Sequence, residues 1–205
     1  MDRMANSYSS ARWLALALLI TGILLLAAAG ATYAWQGSTG DISATWSVTV
    51  SGHNGAQKTL SFDDIKAMTP YDGRGGFFTT TGVINGPYSA RGVTIEDLCA
   101  LVGGLNANDL VKVSASDGYS TMLDYAHVKG DFITYDPVTL KEKEHGELKP
   151  VLMYQQDGAA LTADGGKPLR LAIVGRDGLL TEGLYWIKWI NKIEIIAPRS
   201  PGSAG

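Results

Sequence analysis

From Trp13 to Ala34 the chain reads WLALALLITGILLLAAAGATYA, and no charged residue occurs between Arg12 and Asp41. An apolar run of about 20 residues, rising 1.5 Å per residue as a helix, is long enough to cross a hydrocarbon core. Trp13 and Trp35 bracket residues 13–35 as interfacial anchors would. Arg3 and Arg12 precede the run and nothing basic comes closely after it, which predicts residues 1–12 in the cytoplasm. A cleaved signal peptide is the rival reading, with a small-x-small site at Ala29–Ala31, although its apolar region is usually only about 7 to 15 residues. Both readings export the remainder of the chain. The expectation is an extracytoplasmic domain, anchored through residues 13–35, or secreted if the segment is cleaved.

After the run, residues 36–41 (QGSTGD) read as a polar linker and 198–205 as a disordered tail. Residues 42–197 remain as one domain. Without Asp2, Arg3 and Arg12 the chain keeps 19 acids against 15 bases. That mild acidity argues against a nucleic-acid partner, which calls for a clustered basic face.

The domain's pattern is rich in strands and interrupted by short helices. TWSVTVSG alternates and predicts a strand that ends at the turn GHNG. Ser61 with Asp64, and Thr94 with Asp97, resemble capping boxes that open short helices, the second stopped by Gly103 and Gly104. LVKVSASDGYSTML predicts two strands joined at Asp117-Gly118, where glycine supplies the positive φ of a tight hairpin. Asp124–Val128 suggests one helical turn, and VLMYQQDGAAL and PLRLAIVG read as further strands. The closing LYWIKWINKIEII fits neither period throughout and predicts a bent element. Strand runs broken by short helices favour α+β over a doubly wound parallel sheet.

Motif chemistry is sparse. The histidines, His53, His127 and His145, have no metal-type spacing, and a single cysteine cannot pair. Cys99 falls at core spacing with Ile95, Leu98 and Val102, as a buried structural thiol would. No nucleophile elbow, phosphate loop or dinucleotide fingerprint occurs. The stretch RGGFFTTTGVINGPYSARGV, Arg74 to Val93, holds three consecutive threonines and no Cys, His, Asp or Glu. It reads as an ordinary loop or as the wall of a site.

Four ordered segments carry a resemblance. They are YSARGVTIEDLCALVG, VKVSASDGYSTML, VLMYQQDGAALTADGGKPLRLAIVG and YWIKWINKIEII, spread over Trp46 to Ile196. Together they resemble the sulfite-oxidase-like, oxidoreductase molybdopterin-binding domain family. The resemblance implies a mixed-sheet, barrel-like α+β fold with short helices. It also implies a pterin cofactor facing SASDGY and GGKPLRL, with Thr79, Thr81, Arg91, Asp117, Tyr119, Arg170 and Arg176 as cofactor-binding positions. Arg170 and Arg176 could supply charge to a phosphate; Arg170 could equally make a structural ion pair at a strand end.

One departure from the family matters most. Catalytic relatives bind molybdenum through a cysteine, and by register that place falls on TTTG, with Thr79 at the cysteine and Gly82 at the motif glycine. A threonine hydroxyl is a hard donor that stays protonated near neutral pH and cannot stand in for a soft thiolate. No protein metal ligand is assigned. The sequence therefore predicts a membrane-anchored binding module of a redox system, for a small anionic ligand or a redox partner protein, without thiolate-bound molybdenum. The alternative is an active molybdopterin-dependent oxidoreductase that holds its cofactor without a cysteine. A structural adhesion-type β domain is a third possibility, favoured if Phe77 or Tyr88 fills the space beside Thr79.

Overall fold

The computed structural model describes residues 42–197. It is a mixed α+β fold built on two sheets. In the first, β1 (Ser47–Ser51) pairs antiparallel with β2 (Gln57–Ser61) and parallel with β11 (Ile190–Ile196). β5 (Leu110–Ala115) and β6 (Ser120–Asp124) complete it in the order β2-β1-β11-β5-β6. The second sheet runs β10 (Leu180–Glu182), β3 (Tyr71–Phe78), β4 (Ile84–Thr94), β7 (Leu148–Gln156) and β8 (Ala159–Ala160). β9 (Arg170–Gly175) pairs with both β3 and β7. Most strands meet a neighbour antiparallel; β10 meets β3 in parallel register, Leu180 opposite Gly76 and Glu182 opposite Phe78.

Three short α-helices fill the connections among the described residues, two of them opened by the capping side chains expected, Ser61 and Thr94. Ser61 caps α1 (Phe62–Ala67) in a reciprocal box with Asp64, whose carboxyl is held below its usual range by the Ser61 hydroxyl and amide. Thr94 caps α2 (Ile95–Ala100) by accepting from the Asp97 amide at 3.0 Å. Asp124 caps α3 (Tyr125–Lys129) through the His127 amide, and Gly130 ends that helix at φ 104°.

Alternation explains the core. β7 and β9 lie between two apolar layers, so both read as continuous hydrophobic runs. Leu152, Leu171 and Ile173 face one layer with Val50, Val113, Ile193 and the helical Leu98. Val151, Met153, Ala172 and Val174 face the other with Ala90 and Trp186. Each fully buried Leu or Ile in these layers contributes about 1.5–3 kcal/mol.

Two expectations are corrected by the structure. The segment from Arg74 to Val93 is not the ordinary loop that was one of its two readings but a β-hairpin, formed by β3 and β4, with the threonines at its tip. Its glycines sit where the sheet has no room, since a Cβ at Gly76 would stand 2.5 Å from the Asn85 carbonyl oxygen. The membrane expectation fails as well. Among the described residues no helix is long and apolar enough to cross a membrane. α1 and α2, at six residues each, span about 9 Å, against the roughly 30 Å of a hydrocarbon core. The span at 13–35, the linker at 36–41 and the tail at 198–205 lie outside the described residues. The membrane partner and the anchored extracytoplasmic placement are not carried further.

Candidate functional site

The β3–β4 hairpin turns at Thr79–Val83. The Thr79 amide donates to the Val83 carbonyl at 2.9 Å, and the Gly82 amide donates to the Thr79 carbonyl at 2.8 Å. Gly82 takes φ 81° there, a left-handed conformation that a Cβ would strain. Thr79 Oγ1 accepts from the Val83 amide at 3.1 Å and lies 2.9 Å from Thr81 Oγ1, so the threonine hydroxyls hold the turn closed.

A cleft of about 520 Å³ opens beside this tip. Phe77–Thr80 form one side, Tyr119 projects from the β5–β6 hairpin, and Glu182–Leu184, at and just after the end of β10, close it. Gly183 is pressed against β3: a Cβ there would lie 2.8 Å from the Phe78 carbonyl oxygen. Tyr119 is 54% exposed, and its amide is fixed by Asp117 Oδ1 at 3.0 Å. The space beside Thr79 is therefore open, with Phe77 as a wall and not a plug.

Behind that wall lies Arg170, only 5% exposed. Its guanidinium carbon is 4.8 Å from the Phe77 ring centroid and 5.5 Å from that of Trp186, and these two rings stack at 5.1 Å and 27°. Nη1 and Nη2 make long contacts to the Gly165 and Trp186 carbonyls at 3.4 and 3.5 Å, and Nε has no partner. Burial lowers the guanidinium to about 10, which leaves it charged at neutral pH. No ion pair of Arg170 with a carboxylate forms among the described residues. An aromatic stack thus takes the place of the strand-end ion pair that was one of the two readings of Arg170. Lys188 pairs with Arg170 through an isolated antiparallel backbone bridge, while its ammonium lies 5.8 Å from the Trp189 ring centroid.

The seven positions taken from the resemblance fall into two places. Thr79 and Tyr119 line the cleft, Thr81 braces Thr79, Asp117 orients Tyr119, and Arg170 backs the Phe77 wall. Arg91 and Arg176 line a different cleft, with Arg74, on another part of the second sheet. Sequence reasoning named Phe77 only as a possible plug and passed over Phe78, Thr80 and Glu182–Leu184. The paired phenylalanines before the threonines were the available signal, since a strand ending in a polar tip presents them beside it.

The oxidoreductase molybdopterin binding domain model matches residues 36–204. The chain belongs to that family. No curated protein sequence matches it. Among solved structures it is similar to the sulfane dehydrogenase SoxCD from Paracoccus pantotrophus, at a TM-score of 0.59 and 15% identity. That similarity covers 78% of this chain and 40% of the other, and at such identity it speaks for the fold.

This family member carries no cysteine at the ligand position. Its one cysteine, Cys99, is fully buried in α2, and burial, with Glu96 nearby, pushes the thiol up to about 12. A thiol held protonated inside the core is neither nucleophile nor metal ligand. The expectation of a membrane-anchored binding module is corrected by the described helices, none of which is long and apolar enough to cross a membrane. The family match and the open cleft beside Thr79 bear on the oxidoreductase alternative, which they support better.

The pterin half of a cofactor suits the residues present. Arg170, a buried cation without a carboxylate partner among the described residues, sets a positive field behind the Phe77 wall that favours an anionic group in the cleft. The hydroxyl-lined tip of the hairpin supplies no soft donor for a metal.

Proposed function

We propose that the chain is a molybdopterin-dependent oxidoreductase domain that holds its cofactor without a protein thiolate. The observation that carries this reading is the conjunction of an open cleft at the Thr79 tip with a buried, uncompensated Arg170 behind its aromatic wall. Arg170, behind the Phe77 and Trp186 rings, would bias the cleft toward the anionic end of the pterin through its field. Tyr119, Thr79 and Thr80 would line the cofactor's exposed edge, and Glu182 is the carboxylate nearest to act as a proton acceptor. When bound, the cofactor supplies two-electron redox chemistry. The chain's own contribution is to orient it, to keep the Arg170 side dry behind Phe77 and Trp186, and to leave the Thr79 side open to substrate.

The test is elemental and pterin analysis of the full chain purified after molybdate-replete expression. Molybdenum and oxidised pterin at close to one per chain are expected, with both reduced in Arg170→Met. Absence of both under those conditions would sink the proposal. Fluorescence of the released pterin reads the outcome without any assumption about substrate.

A further inference from the structure

The second cleft lies on the β3–β4–β7 face and shares no lining residue with the Thr79 cleft. It encloses about 450 Å³ and is bordered by Arg74 of β3, Arg91 of β4 and Arg176 just after β9. Strand register brings these three together. Arg74 is paired with Ser89 on one side and with Gly175 on the other, which sets Arg176 one residue from its partner position. Arg91 lies opposite Asp72 on β3 and opposite Gln155 on β7. The turn after Arg176 closes onto Arg74: a Cβ at Gly178 would lie 3.8 Å from the Arg74 guanidinium carbon. Much of the rest of the lining is glycine, Gly73, Gly158 and Gly175, so a ligand would meet main chain there.

Of the acids around the cleft, Asp72 lines it and pairs with Arg91, and the others are engaged elsewhere. Asp72 contacts Arg91 at 3.4 Å, and Asp157 accepts from the Ser89 amide at 2.8 Å. Asp177 accepts from the Gly146 amide at 3.4 Å, and Glu147 contacts Lys149 at 3.4 Å. Neither Arg74 nor Arg176 forms an ion pair among the described residues, so their charge is uncompensated on a chain whose net charge is -3. Guanidinium forks recognise carboxylates and tetrahedral oxyanions through paired hydrogen bonds.

We propose that Arg74, Arg91 and Arg176 form a binding site for a small dianion, an inorganic oxyanion or a dicarboxylate, whose oxygens bridge the three guanidinium groups. Three cations in a cleft of this volume suit a small ligand and not a polyanion such as nucleic acid. Arg91 contributes most when it exchanges Asp72 for the ligand, so binding costs that exposed contact, which is worth little.

The experiment titrates the full chain with inorganic phosphate, sulfate and succinate, using chloride at matched ionic strength as reference. Backbone amide shifts and calorimetry track each titration. Saturable binding of at least one dianion, about tenfold or more tighter than chloride, is expected, with the shifts centred on Gly73, Arg74, Ser89 and Arg176. The ranking of phosphate and sulfate against succinate identifies the oxyanion or the dicarboxylate source. Arg74→Ala and Arg176→Ala should each weaken binding about tenfold, and Arg176→Lys less. Non-saturating titrations like that of chloride, or shifts centred elsewhere, overturn the site. So do variants that bind as the wild type does. The wild-type shift map decides even where a variant fails to fold. Since phosphate and succinate are probed on protein without cofactor, failure here leaves the oxidoreductase reading standing, and the reverse holds too.

Discussion

The Arg170 guanidinium stands 4.8 Å over the ring of Phe77, and Phe77 is itself a wall of the cleft at the Thr79 tip. One buried cation is therefore joined to the candidate site through a single aromatic ring. Its charge lacks a carboxylate partner, and its burial lowers its proton affinity to about 10. Such a charge burdens the cofactor-free fold, and cation–π stacking returns only part of the cost.

Replacement with methionine should therefore separate stability from binding. In cofactor-free protein, Arg170→Met is expected to stabilise by about 1–3 kcal/mol, raising Tm by several degrees. Pterin retention should fall in the same variant. A melt combined with pterin fluorescence checks both, and a variant that loses stability without losing pterin would show Arg170 to be a purely structural cation.

Much of the fold was legible because local signals and topology agreed. Ser61, Thr94 and Asp124 each cap a helix of the expected place, and Asp117-Gly118 does join two strands. The bend expected in LYWIKWINKIEII is the 3-10 turn Gly183–Tyr185 and then Trp189 at φ 58°, after which the strand begins. The hairpin at 71–94 was not legible. Its glycines depress strand propensity, and the close approach of β9 and β10 that requires them is revealed by no local pattern. For the same reason the site appeared in the sequence as one set of seven residues. Register alone separates Arg91 and Arg176 from Thr79 and Tyr119.

The rim at Glu182–Leu184 depends on a buried hydrogen bond. Trp186 Nε1 donates to Thr181 Oγ1 at 2.9 Å, and both residues are buried. Thr181→Val keeps the shape and orphans the indole donor, at a cost of about 1–3 kcal/mol. Urea denaturation should show a lower midpoint at unchanged slope, and tryptophan emission should shift as Trp186 loosens. An unchanged midpoint would mean that the indole finds another acceptor.

Cys99 sets a limit at alkaline pH. Its thiol is pushed up to about 12 in the folded chain by burial and by Glu96, against an ordinary value near 9. Between those values the unfolded chain has released a proton that the folded chain keeps, so stability falls as pH rises, by up to about 1.4 kcal/mol per pH unit. Below about 9 the group contributes no slope. Cys99→Ala should remove this component, seen as a shallower fall in the urea midpoint from about pH 9 to 10.5. The native thiol should also stay silent to a thiol reagent at about pH 8 and react only on unfolding.

Thr79 allows the most direct trial of the site. Its side chain is half-buried at the tip, next to Thr81 and the Val83 amide, and it borders the cleft. Thr79→Cys should fold with a loss of about 1–2 kcal/mol, since two hydroxyl contacts at an exposed turn, to the Val83 amide and Thr81 Oγ1, are weakened. In cofactor-free protein the new thiol should react readily with a maleimide, while Cys99 does not. After molybdate-replete expression, the variant should retain at least as much metal as the wild type, with the new thiol protected, because a thiolate is the soft donor that the hydroxyl is not. Mass spectrometry of labelled chains reads protection, and elemental analysis reads the metal. A thiol that labels equally in both preparations, with unchanged metal content, would show that the tip of the β3–β4 hairpin does not face the metal.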